Sequence, residues 1–234
     1  MVELAHEAPK IDAHAAPPQD TRKMVTVLSG VAALSGLLIV GIFQFTLPYI
    51  DANREAMIER AIFSVVPGGT AKRVYGYTDN GVQPEPVGAT FGERFYAVYD
   101  EAGALQGVAL EASGQGYQDV IRILYGYDPA RQVVTGLTVL ESKETPGLGD
   151  KIGKDPAFLA NFNELDATVD EGSGLPAQAI IAVKHGKKVN AWEIDGISGA
   201  TISSVAIGKM LDQGLRRDLP RLRPHVAELG KAPS

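Results

Sequence analysis

Three observations predict an α+β fold, in which one N-terminal transmembrane helix precedes a single domain built on a mixed, mainly antiparallel sheet. The first is an uncharged run from Met24 to Ile50, longer than the about 20 apolar residues that cross the hydrocarbon core of a bilayer. The second is a pair of hairpin signals. Phe95–Tyr99 and Leu105–Glu111 flank Asp100-Glu101-Ala102-Gly103, and Val120–Tyr127 and Val133–Leu140 flank Asp128-Pro129-Ala130-Arg131. Both are strand-like runs bounded by turn-forming residues. The third is helical signal interleaved with strands: Pro156–Phe162, with proline at a permitted first position, and Thr201–Leu215, with Ile207, Leu211 and Leu215 on one face. Gln178–Val183 reads as a further strand. There is no internal repeat.

Taken in order, residues 1–23 are rich in Ala, Pro and charge without an apolar period, and read as an irregular tail. Residues 24–50 form the span. The run is too long for the core of a secretory signal, and no A-x-A-like cleavage site follows it. Arg22 and Lys23 abut its start, while Asp51, Arg54, Glu55 and Glu59 follow its end. That asymmetry places the N-terminus in the cytoplasm and the larger part outside. Ser29, Ala32, Ala33 and Gly36 make a stripe of small residues, which suits close helix packing but is also common in such helices. Pro48 is expected to bend the exit from the membrane. Residues 51–66 then form a stalk helix, with Met57, Ile58, Ala61, Ile62 and Val65 on one face up to the breaker Pro67-Gly68-Gly69. The domain is expected over 67–219, with a C-terminal tail over 220–234.

Composition excludes several classes of chemistry. The 234 residues include no cysteine, so disulfides, thiolate-bound clusters and a cysteine nucleophile are ruled out. The histidines, His6, His14, His185 and His225, are scattered without ligand spacing, and no metal site is expected. A net charge of −6 gives no general attraction to nucleic acid.

The most informative segment is Asp195-Gly196-Ile197-Ser198-Gly199-Ala200-Thr201-Ile202-Ser203-Ser204. Small residues let backbone approach a ligand, and hydroxyls cluster at the start of a helix whose first amides suit a phosphate. On spacing alone an ordinary Ser/Thr cap with nothing bound is the stronger reading, because hydroxyl-rich helix starts are common. The segment Asp195-x-x-Ser198-Gly199-Ala200-Thr201, however, resembles the Dxx(S/T)GAT signature of the FMN-binding domain in the G subunit of Rnf complexes, shared by the C subunit of the sodium-pumping NADH:quinone reductase. Glu144-Thr145-Pro146-Gly147-Leu148-Gly149-Asp150-Lys151-Ile152 resembles the ETPGLG loop of the same families, and its DKI continuation leans towards the Rnf G type. Gly114-Gln115-Gly116-Tyr117-Gln118-Asp119-Val120-Ile121 resembles their GxGY run. One departure is Ser142, where these families often have His.

The resemblance implies a covalent FMN, joined through its phosphate to Thr201 by a separate flavin transferase that uses FAD. Asp195, Ser198, Gly199, Ala200, Glu144, Thr145, Gly147 and Leu148 would complete the cofactor site. Trp192, Tyr125 and the lysines Lys184, Lys187 and Lys188 are left outside it. The implied setting is a bacterial inner membrane with the FMN domain periplasmic. There the chain would carry electrons within an Rnf-type complex that moves electrons between ferredoxin and NAD⁺, coupled to sodium or proton movement. Its partners would be the other membrane subunits. Alternatives are the C subunit of the sodium-pumping reductase and a membrane-tethered module without redox chemistry.

Overall fold

A computed structural model of the chain describes residues 20–78, 81–85 and 93–230. Nearly all of the expected N-terminal tail, with His6 and His14, and the last four residues of the expected C-terminal tail lie outside the described residues. The chain divides into two compact units, residues 1–53 and 54–234.

In the first unit the described chain is helical. It forms most of α1 (Thr21–Val65), a 45-residue helix that contains Pro48. Span and stalk, expected as separate segments, are therefore one element. Among the described residues α1 is the one helix long and apolar enough to cross a membrane, and its most apolar stretch has a mean hydropathy of 2.3 with no buried residue. Leu37, Ile39 and Phe45 stand exposed, as expected of side chains whose solvent is lipid.

The second unit holds a seven-stranded antiparallel sheet in the order β2-β1-β3-β4-β5-β6-β7. Its strands are β1 (Ala71–Thr78), β2 (Gly81–Pro84), β3 (Arg94–Tyr99), β4 (Leu105–Gln115), β5 (Val120–Asp128), β6 (Val133–Glu141) and β7 (Leu165–Asp166). Both predicted hairpins are present: β3 pairs with β4 and β5 with β6. Because alternate residues face opposite sides, β3 sends Phe95, Ala97 and Tyr99 into the main core and Tyr96 and Val98 into a smaller one.

The smaller core is closed by the end of α1, through Ala61, Ile62 and Val65, with Val66 just beyond. Two glycines permit the contact. A Cβ on Gly126 would stand 1.9 Å from the Val65 carbonyl oxygen, and one on Gly136 would stand 2.8 Å from the Val65 Cα. The Thr135 hydroxyl donates to that same carbonyl at 2.6 Å. It satisfies an acceptor that a helix C-terminus leaves open.

The main core lies between the other face of the sheet and α3 (Thr201–Leu222). α2 (Pro156–Leu159) begins as the sequence predicts. Asp155 caps it by accepting from the Ala157 and Phe158 amides, and the chain continues as a 3₁₀ turn through Phe162. Two expectations are corrected. The strand expected over Gln178–Val183 is only β8 (Ile181–Val183), which pairs in parallel with β9 (Glu193–Asp195). Its earlier residues are drawn elsewhere: the Ile180 amide donates to the Asp212 carboxylate of α3 at 3.0 Å. The helix expected to end at Leu215 runs to Leu222, and α4 (Val226–Leu229) follows. Leu219, Leu222 and Leu229 are buried in the main core. The start of the expected tail therefore belongs to the domain, because its leucines have core to cover.

Candidate functional site

The three sequence motifs meet at the start of α3. Ala200 is the N-cap residue, and no side chain caps the helix. The amides of the first turn consequently lack the side-chain acceptor that a Ser, Thr or Asp cap would give. Gly199 reaches this position with φ at +83°, in the left-handed region that glycine enters without a Cβ penalty. Thr201 and Ile202 are exposed, whereas Ala200, Ser203 and Ser204 are buried.

A cleft of about 370 Å³ opens over this helix start. It is lined by Glu144, Thr145, Leu148, Thr201, Ile202 and Tyr117, together with Gly149, Gly199, Ala200 and Ser203. Its volume lies within the range usual for cofactor sites. The carboxylate of Glu144, only 5% exposed, ties the three motifs together. Oε1 accepts from the Gln118 amide at 3.0 Å, and Oε2 accepts from the Ser203 hydroxyl at 2.6 Å. Its own amide donates to the Ser142 hydroxyl at 3.2 Å, so the serine that replaces the family's frequent histidine supports the loop. Gly116 and Gly149 close on this carboxylate, since a Cβ on either would stand 2.5 Å from one of its oxygens.

The loop that carries Glu144 is a tight turn. The Leu148 amide donates to the Thr145 carbonyl at 3.1 Å, and Gly147 has φ at +79°. The Gly147 amide donates to Asp150 at 2.7 Å, and Lys154 donates to the other oxygen of the same carboxylate at 2.7 Å. The hydrogen bond from Lys154 holds the Asp150 carboxyl below its ordinary pKa.

The predicted site residues therefore divide. Thr201, Ala200, Gly199, Glu144, Thr145 and Leu148 line the cleft, and Gly147 lies in the turn between Thr145 and Leu148 without lining it. Asp195 and Ser198 face a second cavity of about 210 Å³ together with Lys151, Asp155, Phe158 and His185. There Asp195 accepts from the Gly186 amide at 2.6 Å and pairs with the His185 Nδ1 at 3.3 Å. Asp195 thus fixes the loop before β9 and does not reach the Thr201 cleft. Tyr125 is fully buried, with its hydroxyl on Asp218, and Lys188 donates to Asn161. Neither lines the cleft.

Sequence reasoning missed Tyr117, Ile202 and Ser203 as lining residues. Tyr117 is 63% exposed, Ile202 58% and Leu148 51%. Three large apolar side chains thus stand open at one mouth. Helical periodicity could have placed Ile202 beside Thr201 on the exposed face, but nothing local brought Tyr117 across from the turn before β5.

Comparison with known proteins identifies the family. Residues 116–216 match the FMN-binding domain family. The chain is 31% identical over 189 residues to the G subunit of the ion-translocating oxidoreductase complex from Haemophilus influenzae (strain 86-028NP), covering 80% of this chain and 84% of that protein. A shorter match, to the G subunit of the complex of the same name from Methanosarcina acetivorans, is 34% identical over 113 residues, 48% of this chain and 52% of that protein. Among solved structures, the crystal structure of Shewanella oneidensis NqrC superposes with a TM-score of 0.56 over 76% of this chain and 98% of that one. At 17% identity, that likeness speaks for the fold alone. Because the identity to the Haemophilus protein extends over most of both chains, this chain belongs to the family of G subunits of ion-translocating oxidoreductase complexes.

Proposed function

We propose that the chain is an electron-carrying flavoprotein subunit of an Rnf-type complex, with FMN held as a phosphoester on Thr201. The observation that carries this reading is the placement of Thr201: it is the exposed first residue of an uncapped helix, in a cleft with an open apolar mouth. The residues fit FMN at both ends. The first-turn amides of α3 and its dipole suit a phosphate, and Tyr117, Leu148 and Ile202 offer apolar surface to an isoalloxazine ring. FMN would supply one- and two-electron chemistry. The protein would hold the flavin at a fixed place and shield one side of it from water.

In this reading the chain gains its flavin from FAD through a flavin transferase. It exchanges electrons with other membrane subunits of a complex that works between ferredoxin and NAD⁺ and moves ions. α1 anchors it in a bacterial inner membrane, with the N-terminus cytoplasmic and the flavin domain periplasmic, following the charge flanking the span. Asp195 contributes here by holding the Gly186 loop, away from the flavin.

The test is ultraviolet-excited fluorescence of the denatured, gel-separated protein after co-expression with a flavin transferase. Wild type is expected to fluoresce, and Thr201→Ala to be dark. A dark wild-type band with an active transferase would reject the covalent reading.

A further inference from the structure

Four hydroxyl side chains crowd the start of α3, and their surroundings differ. Ser204 is 1% exposed; its Oγ donates to the Ala200 carbonyl at 2.9 Å and accepts from the Ile197 amide at 3.1 Å. Ser198 is exposed but opens on the His185 cavity. Ser203 lines the same cleft as Thr201, is 2% exposed, and donates to Glu144 at 2.6 Å. On chemistry alone Ser203 is the better nucleophile: it is a primary alcohol, and a carboxylate sits within proton-transfer reach of it.

The geometry points the other way: we propose that Glu144 withholds Ser203 from modification and so makes Thr201 the single acceptor. This rests on the reading of Thr201 as the phosphoester site. Both Glu144 oxygens are committed, one to the Gln118 amide and one to Ser203. Gly116 and Gly149 close on them so tightly that no added Cβ would fit. To attack phosphorus, the Ser203 oxygen would have to turn from the carboxylate while an anionic phosphate came up beside that same charge. Like charges at such range repel strongly in a partly buried site. Thr201 faces no such barrier. It is exposed, and among the described residues no hydrogen bond holds its hydroxyl.

In the transfer, the acceptor oxygen forms a bond to the flavin-side phosphorus of the dinucleotide. The phosphoanhydride P–O bond breaks, AMP leaves with the electron pair, and the hydroxyl proton passes to a base of the transferase. Nothing is oxidised or reduced. Glu144 touches none of the reacting atoms; it is a positioning residue that decides which hydroxyl is presented.

The test maps flavin by peptide mass in the full chain co-expressed with a flavin transferase. Wild type is expected to carry one flavin, on Thr201, and Thr201→Ala none. In the double variant Glu144→Ala/Thr201→Ala, flavin is expected on Ser203. Glu144→Gln/Thr201→Ala repeats the measurement with the size kept and the charge removed, in case the larger truncation does not fold. Flavin on Ser203 in Thr201→Ala alone would overturn the proposal. So would dark double variants when Glu144→Gln alone still carries flavin on Thr201, or loss of labelling in a folded Glu144→Gln single variant. A dark wild type would instead remove the Thr201 reading beneath it, so the two failures are distinguishable.

Discussion

The two ends of α3 are built to opposite rules. At its start no side chain caps the first turn, and Thr201 and Ile202 stand exposed over a cleft. Towards its end the charged side chains are engaged. Asp218 is 2% exposed and accepts from Arg217 Nε and Nη2, each at 2.8 Å. The Tyr125 hydroxyl approaches the same carboxylate at 3.3 Å. The Arg221 guanidinium lies 3.9 Å from the centre of the Tyr77 ring and pairs with Glu93. A helix can be anchored firmly through one end only, which leaves the other free to meet a ligand. Substitutions at the closed end should therefore cost stability, and substitutions at the open end should cost cofactor.

The largest effect is expected from Asp218→Ala. It strands a buried tyrosine hydroxyl and the half-exposed Arg217, which keeps water on one side, so the cost is about 2 kcal/mol, below that of a fully buried pair. Chemical denaturation should show the midpoint fall, while the flavin proposed on Thr201 persists in the folded fraction. A variant as stable as wild type would break the contrast between the two ends. A smaller cost belongs to Gly199→Ala. The added Cβ would find space, its closest neighbour being Leu148 Cδ2 at 3.9 Å. The penalty is then the left-handed backbone alone, about 1 kcal/mol. Flavin incorporation should fall more than stability does, because this turn presents Thr201.

These two positions also show what the sequence could and could not reveal. Gly199 and Thr201 were legible because a motif of small residues and hydroxyls is contiguous, and the hairpins were legible because turn residues interrupt alternating runs. Asp218 was not. It sits among charged residues of a helix expected to stop at Leu215, and only the burial of Leu219 and Leu222 shows that the helix and core continue. Pro220 inside α3 concealed this further, since proline usually reads as a terminator. The cleft was half legible. Its loop and helix start stand in contiguous motifs, but Tyr117 arrives from a segment distant in sequence. Asp195 shares a motif with Thr201, yet the turn at Gly199 sends the two towards different cavities.

At the open end, Tyr117→Leu is expected to change stability by no more than about 0.5 kcal/mol, as exposed positions do. Its signature should be optical. A tyrosine against an isoalloxazine ring quenches flavin emission, so the native variant should be brighter than native wild type. The two should match once denatured, since attachment is untouched. Equal native brightness would remove Tyr117 from the ring seat and leave Leu148 and Ile202 as its apolar wall.

The smallest effect is acid-dependent and sharpens the comparison at the loop facing the open end. The hydrogen bond from Lys154 and the Gly147 amide hold the Asp150 carboxyl below the ordinary value of 3.8. A depressed folded pKa means the ionised form favours the folded turn. That contribution is present in full well above pH 3.8 and is lost as pH falls through the lower folded value. Lys154 is three-quarters exposed, so solvent and salt screen the pair and the effect should be confined to the loop. Acid titration should therefore expose the flavin to an added quencher before the far-ultraviolet signal of α3 changes, and Asp150→Asn should show that exposure already at neutral pH. If flavin exposure and helix loss coincided in both proteins, the cleft wall would be as firmly held as the Arg217–Asp218 end, and the difference between the two ends of α3 would not extend to their surroundings.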